Sequence, residues 1–181
     1  GANIKKSDLV DNGIPCVRYG EIYTVHDFIL KEFKSYIPSS TAKLSKRIYK
    51  GDILFAGSGE TREEIGKCVA YVEDHEAYAV GDVIIFRSRV NNTTYLGYLL
   101  NHPWSNKQKS ALGQGYSIFH IYPDMVKKII IQIPSRSEQE KIVQVFSTLD
   151  EEITKLVILT ETLNEQKNGL MQQLLIGEIR I

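Results

Sequence analysis

Apolar residues in the last third of the chain recur at helical spacing. Ile142, Phe146, Leu149, Ile153, Leu156, Leu163, Leu170 and Leu174 step by fours and threes, or by the sevens those make, with Thr160 and Lys167 as the interruptions. A stripe at that period stays on one side of a helix, as in a coiled coil. Ser137 followed by Glu140 fits a capping box at the helix start, just after the break at Pro134. A helix of roughly 40 residues is about 60 Å long at 1.5 Å per residue, longer than a domain of the preceding size is wide. One helix cannot bury such a seam on itself, so the pattern predicts a second helix against it.

Upstream the pattern is shorter and mixed. Apolar runs predict strands at 16–18, 53–56, 68–72, 83–87 and 129–133, with 116–121 extended. Gly13-Ile14-Pro15 and Lys50-Gly51-Asp52 read as turns, with another turn near Gly20. Residues 57–64 read as a polar loop between strands, and 29–36 as a short helix or an irregular segment. Asn91 to Thr94 supply a cap for a helix over 95–101, ended by Pro103. A second helix is expected over 105–112, broken by Gly113, and a helical turn over 123–127. Many short strands with inserted helices predict an α+β domain, its sheet curled and largely antiparallel, over 1–134, followed by a long coiled-coil helix over 135–181.

Composition supports a packed core, with 43% apolar residues. No apolar run reaches the ~18 residues that a membrane span needs. Cys16 and Cys68 lie in apolar runs without metal or redox spacing and read as buried thiols in a reducing cytoplasm. Formal net charge is zero, but it is unevenly divided. Residues 134–181 hold five Lys/Arg against eight Asp/Glu, leaving residues 1–133 mildly basic. That balance permits phosphate contact without requiring it.

Motifs for catalysis are missing. Gly66-Lys67 is followed by Cys68, and a phosphate-cradling loop would need its first glycine where Thr61 stands. Gly57 and Gly59 are followed by Arg62, which breaks the dinucleotide pattern. The four histidines are scattered, without ligand spacing, so no metal site is expected. No nucleophile elbow is present. Asp124 and the later Glu165-Gln166-Lys167 are too remote to converge as a nuclease site. Binding features remain. Arg18, Tyr19, Ser58, Arg62, Lys67, Lys107, Lys109, Gln114, Tyr116, Ser117 and His120 lie in or beside expected loops. Arg, Gln, Ser and His carry donors and acceptors for base edges, and Lys suits phosphates.

Several strings, in order, resemble the specificity subunit of type I restriction–modification enzymes. They are Gly13-Ile14-Pro15-Cys16-Val17-Arg18-Tyr19-Gly20-Glu21-Ile22, Lys50-Gly51-Asp52-Ile53-Leu54-Phe55, Ser58-Gly59-Glu60-Thr61 and Ile65-Gly66-Lys67. Gly113-Gln114-Gly115, His120-Ile121-Tyr122, the run 129–134, Ser137-Glu138-Gln139 and the ending Gly169-Leu170-Met171-Gln172-Gln173-Leu174-Leu175-Ile176-Gly177 follow. The resemblance implies one target-recognition domain and the helix after it. It implies a non-catalytic chain that reads one half of a bipartite site in double-stranded DNA. Methylation subunits would dock on it and methylate a flipped adenine with S-adenosylmethionine bound in them, and a motor–nuclease subunit could join. No cofactor is expected in this chain.

Family members usually carry two recognition domains and two helices in one chain. One of each here implies a natural half-subunit or a piece of a longer chain. With the seam, it predicts an antiparallel homodimer reading a palindromic split site. Within the group above, Arg62 and Gln114 are the expected base readers, and Lys67, Lys107 and Lys109 the phosphate contacts. Two other classes stand beside this reading: a coiled-coil assembly or adaptor protein that never touches DNA, and an enzyme whose site is assembled across a dimer.

Overall fold

A computed structural model describes residues 8–180. In chain order it contains β1 (Ile14–Arg18), α1 (Tyr19–Thr24), β2 (Ser35–Ile37), α2 (Ser39–Ala42), β3 (Lys46–Ile48), β4 (Asp52–Ala56), β5 (Ser58–Gly59) and β6 (Cys68–Ala70). There follow β7 (Ala77–Val80), β8 (Val83–Arg87), α3 (Thr93–Asn101), α4 (Pro103–Leu112), β9 (Gln114–Gly115), β10 (Phe119–His120), α5 (Pro123–Val126) and α6 (Arg136–Leu175). The chain divides into two compact units, one ending at Gln139 and one beginning at Glu140.

The strands of the first unit form three small sheets, ordered β2-β1-β7-β3, β6-β4-β8 and β5-β10-β9. Every pairing is antiparallel except β1 with β7. The fold is the α+β class expected, with a long C-terminal helix. β4 is buried along its whole length because β6 and β8 flank it and other elements cover both faces. That explains why its sequence is continuously apolar after Asp52 rather than alternating. Its Leu54 joins Val17, Ile22, Leu30, Ile48, Val69 and Tyr71 in the main core cluster. Helix α3 packs so closely on β6 and the Phe28 segment beside it that a Cβ on Gly97 would lie 3.0 Å from the Ala70 Cβ and 2.6 Å from the Phe28 carbonyl oxygen. Only glycine admits that approach.

Several sequence expectations need correction. The turn near Gly20 is the helix α1, whose Glu21 carboxylate accepts the Arg18 backbone N–H at 3.3 Å. Residues 129–133 form no strand. The Gln108 side chain bonds both backbone groups of Ile130, at 2.9 Å each, so a side chain takes the role a neighbouring strand would have had. The capping serine of α6 is Ser135, whose hydroxyl accepts the Glu138 N–H at 3.4 Å, two residues before the predicted cap. The sequence pattern does not predict strands β2, β3, β5, β7 or β9; residues 35–37, at the end of the segment read as helical or irregular, are extended in β2. These strands are two to four residues long, too short for an apolar period to mark them.

Candidate nucleic-acid interface

Strand β4 ends at Ala56, and the chain continues through Gly57 into β5. There Ser58 and Gly59 pair with His120 and Phe119 of β10. β10 in turn pairs with β9, matching His120 to Gln114 and Phe119 to Gly115. The result is a tight hairpin whose tip holds Tyr116, Ser117 and Ile118. Gly115 sits at φ 140°, where a Cβ would overlap the Ile118 carbonyl. A glycine is therefore required for the hairpin to close. At the tip Tyr116 is 101% exposed, and Gln114 is also exposed.

A polar cluster pins this hairpin to the core. The Ser58 hydroxyl, nearly buried, donates to the Asp82 carboxylate and meets His120 Nδ1 at 2.8 Å. With its hydrogen committed to Asp82, the hydroxyl accepts from His120 Nδ1–H. Asp82 stands in the turn between β7 and β8, and its carbonyl accepts the Gly57 N–H at 2.8 Å. The Ile121 N–H then donates to the Gly57 carbonyl at 2.9 Å. The sequence showed no convergent serine, histidine and carboxylate, yet the fold brings these three together. Their geometry differs from a nucleophilic relay, in which the acid and the serine engage opposite ring nitrogens. Here Ser58 bonds His120 Nδ1, and Asp82 lies 3.6 Å from that same nitrogen. The cluster therefore holds β5, β10 and the β7–β8 turn together.

Other candidates gather at this end of β4. Arg18 ends β1 and is paired in register with Val80, beside the Gly81–Asp82 turn, and Tyr19 next to it is exposed. Lys67 is half-buried and donates to the Tyr23 carbonyl at 3.3 Å. Exposed Arg62 donates through Nε to the Ser110 carbonyl at 3.0 Å, which ties its loop to the end of α4. Lys107 is exposed on α4.

Two of the predicted contacts take scaffold positions. Ser58 is committed to the pin. Lys109 is fully buried, donates to the Gly66 carbonyl at 2.7 Å and lies 5.9 Å from the Phe55 ring centroid. Burial lowers its pKa from the ordinary lysine range. The cause is helix phase: two residues turn α4 by about 200°, so Lys107 and Lys109 cannot share a face. Lys109 instead follows buried Ser105 by one turn. Asp82 was not anticipated, because it stands 24 residues from Ser58 and nothing local marks the pairing.

In the second unit α6 carries the apolar seam. Phe146, Leu149, Ile153, Leu156, Leu163, Leu170 and Leu174 are between 38% and 60% exposed, and Ile142 is half-buried. Val145, Val157, Ile158 and Leu159 widen the exposed apolar surface. Among the described residues, no group of His, Cys, Asp or Glu is placed to hold a metal ion, and no helix is long and apolar enough to cross a membrane.

Comparison with known proteins gives one consistent result. The chain is 27% identical over 154 residues to a Haemophilus influenzae protein named as a type I restriction enzyme specificity subunit. That match covers 81% of this chain and 38% of the relative. The fold is similar to the crystal structure of a type I restriction–modification S subunit from M. genitalium, with TM-score 0.55, 14% identity, and coverage of 94% of this chain and 40% of that one. It is also similar to a chain from a structural study of assembly and conformational transition in the type I system, with TM-score 0.60, 15% identity, and coverage of 95% and 40%. The chain thus spans about two-fifths of the relatives it matches. The family model for the type I restriction modification DNA specificity domain matches residues 1–164, and the chain belongs to that family.

Proposed function

We propose that this chain is a sequence-reading module for double-stranded DNA, recognising one half of a bipartite site without performing chemistry itself. The observation that carries this reading is the rigidly pinned hairpin. It projects Gln114 and Tyr116 into solvent from the Ser58–Asp82–His120 anchor, whose serine is buried, in a chain of the DNA specificity family. Gln114 has the amide to pair with an adenine edge, and Tyr116 has a face for packing on base or sugar. Arg18, Tyr19, Arg62, Lys67 and Lys107 border or approach the same end of β4 and supply donors and positive charge. Methylation subunits would dock on this framework and carry S-adenosylmethionine. The target adenine would be flipped into their pocket, and the energetics of flipping would lie with them. A motor–nuclease subunit would complete a restriction complex.

The exposed seam of α6 supports assembly through that helix. Two copies, paired antiparallel, would form a two-fold unit that reads a palindromic split site. The test is the binding of random-sequence duplexes across a salt series. Backbone contacts make affinity fall steeply between 50 and 200 mM salt. If the purified protein binds no duplex at any salt, the coiled-coil adaptor reading replaces this one.

A further inference from the structure

At the opposite end of β4 from the hairpin, the fold builds a second charged surface. Asp52 opens β4 and is paired in register with Arg87, the last residue of β8. The Asp52 carboxylate is completely buried and grips the guanidinium twice, at 2.6 Å to Nε and 2.7 Å to Nη2. It also accepts the Tyr49 backbone N–H at 2.9 Å. The Arg87 guanidinium carbon lies 4.8 Å from the Tyr49 ring centroid, and that of Arg47 lies 5.3 Å from the same ring. A bidentate fork and an aromatic face together fix Arg87 in place.

Around Arg87 opens a concavity of about 610 Å³. Lys50, Arg87, Arg89 and Arg136 line it, with Tyr49 and Thr93, and no Asp or Glu stands on its wall. Asp52 balances Arg87 from beneath. Among the described residues neither Lys50 nor Arg89 forms an ion pair. The amide that could read a base is already used: Asn91 donates to Ser88 Oγ at 3.2 Å and accepts from Gln139 at 3.2 Å. The wall therefore presents cationic donors with little to discriminate one base from another. With Arg87 balanced by Asp52, the positive charges of Lys50 and Arg89 on this concave wall favour an anion there.

We infer that this concavity seats the phosphodiester backbone of double-stranded DNA, with Lys50 and Arg89 as phosphate contacts. The inference rests on the DNA-reading function proposed above and adds where the duplex is gripped rather than read. The spacing suits that division. The five residues of β4, at about 3.3 Å each, set the two ends of that strand roughly 13 Å apart, close to the ~12 Å width of the major groove. A hairpin in the groove and a cationic seat on its rim are then compatible.

The experiment uses the full chain carrying Lys50→Ala and Arg89→Ala together, which leaves the Asp52–Arg87 pair intact. Binding of a fluorescent random-sequence 30-bp duplex is followed by anisotropy over a salt series. The expected result is an affinity loss on the order of tenfold near 0.1 M salt, with the log–log salt slope shallower by about two. The charge-preserving pair Lys50→Arg and Arg89→Lys should restore both. Native affinity and slope in the alanine variant would overturn the inference while leaving the proposed function standing. Absence of salt-dependent duplex binding by the native chain would remove both. Native DNA binding with lost co-purification of the methylation subunit would assign the concavity to protein docking and overturn it as well.

Discussion

The Gln139 side chain holds the start of α3 from four dozen residues away: its Oε1 accepts the Asn92 backbone N–H at 2.8 Å. Its amide nitrogen donates to Asn91 Oδ1 at 3.2 Å and to the Pro134 carbonyl at 3.0 Å. Gln139 is 2% exposed, and the first compact unit ends at this residue. It therefore joins the α3 cap to the segment that enters α6.

Replacing buried Gln139 with Ala leaves the half-buried Asn92 N–H and two half-buried acceptors, Asn91 Oδ1 and the Pro134 carbonyl, without this partner. An unsatisfied buried group costs about 1–3 kcal/mol, so a loss of roughly 2 kcal/mol is expected. Urea denaturation should show a lower midpoint at unchanged slope, whereas Lys141→Ala, two residues on and exposed, should stay within about 0.5 kcal/mol of the native protein.

Lys107 and Lys109 should separate cleanly. Lys109→Ala removes a buried stem and the donor to Gly66, and should cost about 2–4 kcal/mol in stability. Its effect on DNA binding should track the folded fraction alone. Lys107→Ala should leave stability unchanged and weaken duplex binding a few-fold at low salt. Thermal melts and anisotropy on both variants check this.

Much of the fold was legible because it follows from local pattern. The Asn92 cap of α3, with Oδ1 accepting the Tyr95 N–H at 3.1 Å, stands where the Asn91–Thr94 signal put it. The buried strand β4 and the seam of α6 were equally visible as apolar runs and periods. What escaped was decided by partners distant in sequence. Residues 129–133 look like a strand but receive a side-chain partner, Gln108, from α4. Lys109 looks like a surface lysine because its burial is set by helix phase against Gly66 and Phe55. The Ser58–Asp82–His120 pin joins three segments that no spacing rule connects, and the cationic wall around Arg87 draws on three separate stretches.

Alkaline pH should destabilise the protein. Burial pushes the Cys16 thiol up to about 12 and the Cys68 thiol up to about 11, and it also raises Tyr23. In the unfolded chain a thiol titrates near 8.5. Protons are then held more tightly in the native state, so this stability is intact below about pH 8.5 and is lost as pH rises toward 11–12. Lys109, whose pKa is lowered, acts with the opposite sign but is one group against three. Urea midpoints at pH 7.5, 9 and 10.5 should fall steadily, and Cys16→Ala should flatten the trend. At pH 8 neither thiol should react with a disulfide reagent until the protein unfolds.

The seam on α6 should be an assembly surface. Burying a leucine yields about 1.5–3 kcal/mol, so Leu149→Glu with Leu156→Glu, doubled by two-fold symmetry, should weaken self-association at least a hundredfold. Light scattering at micromolar concentration should report a dimer for the native chain and a monomer for the variant. A monomeric native chain would contradict the proposed pairing.

The most direct test of the central claim is to co-express the chain with a type I methylation subunit and map the methylated adenines across the host genome. The account predicts one split motif with palindromic halves for the native chain. The exposed-hairpin substitutions Gln114→Ala and Tyr116→Ala should relax or alter that motif at defined positions. An unchanged motif in both hairpin variants, or methylation with no motif at all, would contradict the claim that this hairpin supplies the sequence address.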